Sequence, residues 1–147
     1  MSEIVIKEIE KAEIAEMVEI WNQHFKVLID NRRKHTVETL SKWLETQHEI
    51  NNIMFGLIVD ETLKGFIILH YEEDKLHIKM TAVNNEDQNK GYGRKLMEFA
   101  IKESKKKPIF TEVKCENFKT INICLKKGFK IIRYNEKLNE YILQYII

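Results

Sequence analysis

Val83-Asn84-Asn85-Glu86-Asp87-Gln88-Asn89-Lys90-Gly91-Tyr92-Gly93-Arg94-Lys95-Leu96 is the stretch on which the chain turns. An alternating segment, Lys75 to Val83, leads into it and predicts a strand. A polar loop follows. Two glycines then open an amphipathic pattern that predicts a helix to about Ser104. Glycine costs about 1 kcal/mol relative to alanine inside a helix, so two of them within three positions need a cause. One cause is a ligand that approaches the backbone where a side chain would block it. An ordinary glycine-containing turn before a helix is the other, and these residues alone leave both open. The first amides of a helix are unpaired and lie at the positive end of its dipole, so the ligand of choice is an anion such as a phosphate. Lys90, Arg94 and Lys95 add positive charge at the same place.

Outward from this stretch the pattern alternates between strand and helix. Ile4 to Ile9 is β-branched and predicts a first strand. Lys11 to about Phe25 carries Ile14, Met17, Val18, Trp21 and Phe25 at helical spacing. A basic polar loop, Asp30 to His35, precedes a helix start at Thr36-Val37-Glu38-Thr39, continued by Val37, Leu40, Trp43 and Leu44 to about Glu49. Strands over Ile53–Val59 and Leu63–Tyr71 are joined by the hairpin-length Asp60-Glu61-Thr62, which predicts an antiparallel pair. Beyond the central helix, Lys105-Lys106-Lys107-Pro108 supplies a cationic C-terminus and a stop. Ile109–Lys114 predicts a strand. Asn117–Lys127 predicts a helix with Ile121, Cys124 and Leu125 inward and Gly128 as its cap. Phe129–Tyr134 and Asn139–Ile146 complete the strands. The order β-α-α-β-β-β-α-β-α-β-β, with no linker or repeat, predicts one α/β (α+β) domain over residues 1–147. In it a mixed, mostly antiparallel sheet of six to seven strands carries helices on both faces.

The totals exclude several classes. The 147 residues are 44% hydrophobic, enough for a core, and 24 basic against 23 acidic residues leave a net charge of +1. Neither nucleic acid nor a membrane surface is indicated by that balance, and Arg32-Arg33-Lys34 lacks a wider basic surface or interleaved aromatics. No apolar run approaches the roughly 20 residues that span a bilayer. No secretory leader is visible after Met1, and Cys115 and Cys124 form neither a disulfide framework nor a zinc site. A soluble, reduced, cytoplasmic protein is expected, as a monomer or homodimer.

Familiar catalytic motifs are missing. Leu96 stands where a dinucleotide fingerprint would place its third glycine, and no Gly-Lys-Ser/Thr exists. None of the three serines lies in a nucleophile elbow, and the five histidines show no metal-ligand spacing, so no metal is expected. Gln88-Asn89-Lys90-Gly91-Tyr92-Gly93 instead resembles the (Gln/Arg)-x-x-Gly-x-(Gly/Ala) signature of the GNAT superfamily of acetyl-CoA-dependent N-acetyltransferases. Asn117 to Phe129, an asparagine followed eleven residues later by Gly-Phe, resembles that family's C-terminal motif. The element order resembles the family along nearly the whole chain.

The resemblance implies acetyl-CoA as cosubstrate and an amine as acceptor. It places the cofactor pyrophosphate on the amides of Asn89, Lys90, Gly91, Gly93 and Arg94, counts Gln88 and Tyr92 among the cofactor-binding residues, and lays the pantetheine arm on the backbone of Ala82 and Val83. A backbone amide near Val83 would hold the developing oxyanion, and Asn117 would contact the pantetheine or lie near the thioester. Transfer to an amine needs a base, because an ammonium has no lone pair. Where many relatives carry glutamate, eleven residues before the signature glutamine, this chain has His77, whose ordinary pKa of about 6.5 suits the task. Glu112, five residues before the motif asparagine, is a second candidate, and a water chain a third possibility. Cys124 occupies the family's usual tyrosine position, where a general acid for the departing thiolate is expected. It is either a weak substitute donor or a small core residue, and Tyr134 or Tyr141 could stand in for it. The acceptor would be read by the loop bearing His24, Asp30, Asn31, Arg32, Arg33, Lys34 and His35, and by the turn at Asn135–Lys137.

Overall fold

The computed structural model describes residues 3–25 and 34–146. Within them seven strands hydrogen-bond into one sheet in the order β1-β2-β3-β4-β5-β7-β6. The strands are β1 (Ile4–Glu8), β2 (Asn52–Val59), β3 (Thr62–Tyr71), β4 (Leu76–Val83), β5 (Ile109–Lys114), β6 (Lys130–Asn135) and β7 (Glu140–Tyr145). Every neighbouring pair is antiparallel except β4 and β5, which run parallel. Four α-helices accompany the sheet in the described residues: α1 (Ile14–His24), α2 (Val37–Glu49), α3 (Tyr92–Glu103) and α4 (Phe118–Lys127).

The helices begin and end where local chemistry directs. Thr36 and Thr39 cap α2 reciprocally: the Thr39 amide donates to the Thr36 hydroxyl at 3.1 Å, and the Thr36 amide to the Thr39 hydroxyl at 2.8 Å. Gly128 closes α4 with φ 105. The predicted loop after β4 contains a single 3-10 turn, Asn85–Asp87. Leu125, expected to face inward, is exposed, because α4 buries only Ile121 and Cys124. Of the predicted basic loop, Asp30 to Arg33 lies outside the described residues.

A register break sorts the core into two faces. Leu69 opposes Ile78, but Ile68 opposes Met80, so Lys79 is an extra residue and β4 carries a bulge. Before the bulge, Leu76 and Ile78 pack with Leu96, Met97, Ala100, Ile121 and Cys124 under α3 and α4. After it, Met80 and Ala82 pack with Met17, Ile20, Trp21 and Leu40 under α1 and α2. This second cluster contains no residue of β5, β6 or β7. On that uncovered side β5 and β7 are joined by a fully buried ion pair, Lys114 Nζ to Glu140 at 3.0 Å, and the ammonium also donates to the Leu138 carbonyl at 2.9 Å.

Candidate active site

The sheet is split where its one parallel pair gives out. β4 and β5 are in register only at Leu76–Ile109, His77–Phe110 and Ile78–Thr111. Thr111 Oγ1 donates to the Ile78 carbonyl at 3.0 Å and closes the crotch of the split. Beyond that point β4 continues to Val83 with no ladder toward β5. The Asn84 amide donates to the Lys64 carbonyl at 2.8 Å, so Lys64 and Asn84 are a hydrogen-bonded pair. Along an antiparallel ladder such pairs alternate. Ala82 therefore spends its backbone groups on Phe66, whereas Thr81 and Val83 aim theirs into the split. The backbone groups of Ala82 are thus spent on β3, while those of Thr81 face the split.

A cavity of about 930 Å³ occupies the split and extends along α3 and α4. Of the sequence-derived candidates, Ala82, Val83, Gln88, Asn89, Gly91, Tyr92, Gly93, Arg94 and Asn117 all line it. Gly91 has φ 83 and precedes the first turn of α3, and a Cβ built on it would meet nothing within 4 Å. Asn89 is left-handed as well, at φ 66. No side chain caps α3, so its first amides face the cavity unpaired, a cradle suited to an anion. Gly93 has a different cause. Its Cβ would fall 2.8 Å from Ile123 Cδ1, so this glycine lets α3 approach α4. Asn117 starts α4 without using its side chain as a cap, and that amide also lines the cavity.

Two signature residues fasten the loop. Gln88 Nε2 donates to the Val83 carbonyl at 2.8 Å, while its Oε1 accepts from Lys119 Nζ at 3.2 Å. Lys90 is turned to Asp87 at 2.8 Å and is absent from the cavity wall. Asp87 is buried, which opposes ionisation, yet Lys90 and Lys64 hold its carboxyl below the ordinary carboxylate range. Its role is structural, pinning the 3-10 turn beneath the cradle.

One wall residue comes from afar. His24, at the end of α1, lines the cavity and places Nε2 2.7 Å from the Val83 carbonyl. A carbonyl can only accept, so Nε2 carries the hydrogen. Burial pushes this imidazole below its ordinary 6.5, helped by the nearby Lys119 ammonium and opposed by the bond to Val83. Next to it Gln23 donates to Asn84 Oδ1 at 2.9 Å and accepts from the Asn85 amide at 2.8 Å. Neither residue stood out as a loop anchor in the sequence, because their partners lie about sixty positions away. His35 packs instead against Trp21, with ring centroids 5.0 Å apart.

The candidate proton-handling residues separate. His77 and Glu112 both point to the uncovered side of the sheet, neither of them lining the cavity, with Nε2 and Oε1 3.4 Å apart. Cys124 is fully buried beneath α3 and does not line the cavity, and burial pushes its thiol up to about 12. Its expected site role gives way to packing. Tyr134 donates to Asn139 Oδ1 at 3.0 Å, Tyr141 packs against the α3–α4 core, and neither reaches the cavity wall. Among the described residues no group of three or more metal-ligating side chains gathers, and no helix is long and apolar enough to cross a membrane.

A model of the acetyltransferase (GNAT) family matches residues 14–129. This chain belongs to the GNAT acetyltransferase family. Solved structures superpose along nearly its whole length. A domain from Methanocaldococcus jannaschii gives a TM-score of 0.84 at 16% identity and covers 100% of both chains. Ribosomal-protein-alanine N-acetyltransferase from Brucella melitensis gives 0.80 at 16%, covering 97% of this chain and 99% of its own. A GNAT superfamily phosphinothricin acetyltransferase from Sinorhizobium meliloti, solved in complex with AcCoA, gives 0.80 at 10%, covering 98% and 88%. At these identities the likeness concerns the fold. No curated protein sequence matches this chain.

Proposed function

We propose that this chain transfers an acetyl group from acetyl-CoA to a primary amine, whether a small amine, an amino acid or a protein N-terminus. The observation that carries the proposal is the row of unpaired amides around left-handed Gly91, opening into a cavity that runs through the split between β4 and β5. The residues fit the cosubstrate: its diphosphate matches the cradle in charge and in the empty space above Gly91. Acetyl-CoA supplies the acyl group, activated as a thioester. The amides of Asn89, Lys90, Gly91, Gly93 and Arg94 bind the diphosphate, with Gln88 and Tyr92 shaping the loop. Thr81 and Val83 orient the pantetheine arm by backbone hydrogen bonds, and the Val83 amide serves as the oxyanion donor. Asn117 stands beside the arm. His77 takes the proton from the attacking ammonium. The chain acts as one domain, as monomer or homodimer.

Thiol release from acetyl-CoA with a broad panel of amines and peptides tests this. Turnover with at least one amine is expected, and His77→Ala lowers it roughly tenfold or more with affinity for CoA near normal. Equal rates for variant and wild type would remove His77 as the base. The burial of Cys124 favours a second possibility, a non-catalytic acyl-CoA-binding module. In that case acetyl-CoA raises the melting temperature while no acceptor releases thiol.

A further inference from the structure

His77 and Glu112 come from different strands, yet they meet at a defined place. His77 immediately precedes Ile78, and Glu112 immediately follows Thr111, the last residues paired before the sheet splits. The two side chains therefore bracket the crotch of the split on the side that no α1–α2 core residue covers. Nε2 of His77 lies 3.4 Å from Glu112 Oε1, an ion-pair separation, and among the described residues the His77 side chain makes no other hydrogen bond or ion pair. Both are partly buried, with side-chain exposures of 19% and 35%.

We infer, resting on the transfer reading above, that the pair works as one dyad in which Glu112 is the positioning residue and Nδ1 of His77 the basic nitrogen. A carboxylate beside Nε2 favours the tautomer with hydrogen on Nε2, which leaves the lone pair on Nδ1. In the proton step the N–H bond of the acceptor ammonium breaks, the proton bonds to Nδ1, and the electron pair stays on the amine. The imidazolium so formed is stabilised by Glu112. The contact with His77 holds the Glu112 carboxyl below its ordinary value against the effect of burial, and Lys79 adds to this.

Several charged and titratable groups share this face, among them the Lys114–Glu140 ion pair two positions along β5 from Glu112, and Lys75, whose Nζ lies 5.6 Å from the ring centroid of Phe110. From β3, His70 stands opposite His77 in register, with Nδ1 2.7 Å from Asn52 Oδ1. Lys79 projects from the bulge of β4. Phe110 and Ile142, the register neighbours on β5 and β7, are apolar.

Two readouts test the dyad. The first is a nuclear magnetic resonance titration of the His77 imidazole without cosubstrate, comparing wild type with Glu112→Gln. The variant is expected to titrate about one pH unit lower, as for loss of a carboxylate within 4 Å. The second is the pH profile of kcat/KM in thiol release, whose acid limb is expected to shift down equally, while KM for acetyl-CoA holds and Glu112→Asp recovers part of the rate. The double variant His77→Ala/Glu112→Gln is expected to be no slower than His77→Ala alone. An unmoved titration beside normal turnover overturns the dyad and leaves the transfer reading intact. A shifted titration with no thiol release from any amine overturns the transfer reading and the catalytic role with it. Variants with an unchanged melting temperature guard against misfolding as the cause.

Discussion

Gly91 and Gly93 sit two positions apart and do unrelated jobs. Gly91 holds φ 83, a conformation that costs a residue with a side chain about 1–2 kcal/mol, and its missing side chain leaves open space above the cradle. Gly91→Val is therefore expected to lose about that much stability in urea denaturation. In isothermal titration calorimetry it should bind CoA roughly tenfold or more weakly, because its side chain fills the open space above the cradle. Gly91→Ala carries similar strain with less bulk, so its affinity should suffer less. Tight CoA binding by the valine variant would show that the cradle lies elsewhere. In the sequence the two glycines were one signal. The ligand-approach explanation suits Gly91, but only the position of Ile123, thirty residues on, explains Gly93.

Between elements, close approach is arranged by small residues whose neighbours differ in how far they can yield. A Cβ on Gly65 would fall 2.8 Å from the Ala82 carbonyl oxygen, which the β3–β4 ladder holds in place. A Cβ on Gly93 would meet the far end of a flexible isoleucine at the same distance. Gly65→Ala should therefore destabilise by roughly 1–3 kcal/mol, the usual penalty for overpacking. Gly93→Ala should stay within about 1 kcal/mol of wild type, because helix propensity offsets the crowding. Matching urea midpoints for the two variants would contradict this. The bulge at Lys79 belongs to the same scale. It turns Met80 and Ala82 to the α1–α2 face and leaves His77 beside Glu112 on the uncovered stretch. Alternation of apolar residues in Leu76–Val83 shows a strand but conceals the bulge, since an inserted residue leaves a plausible alternating pattern on either side.

For the molecule as a whole, His24 ties the fold to pH. Its folded pKa lies below the ordinary 6.5, chiefly through burial. Between those two values the unfolded chain binds more protons than the folded one, so stability rises with pH across that window. It is fully present above 6.5 and is lost as pH falls from 6.5 toward the folded value. His24→Gln, which keeps a donor for the Val83 carbonyl, should lose less stability than wild type between pH 7.5 and 5 in urea denaturation. Parallel losses would show that His24 does not carry the dependence. Residues close in sequence announced most of the architecture: strand alternation, the Thr36–Thr39 cap, the glycine-opened helix α3 and the Asn117–Phe129 segment are local patterns that backbone geometry dictates. The sequence by itself thus determined the element order and the family resemblance, and singled out residues 83–96 as a candidate anion cradle. The tertiary structure alone decided that His24 latches onto Val83 across 59 residues, that Cys124 belongs to the core, and that His77 meets Glu112. Those outcomes depend on strand register and on which face of the sheet a side chain takes. A shift of one residue reverses that face, and local propensity does not record it.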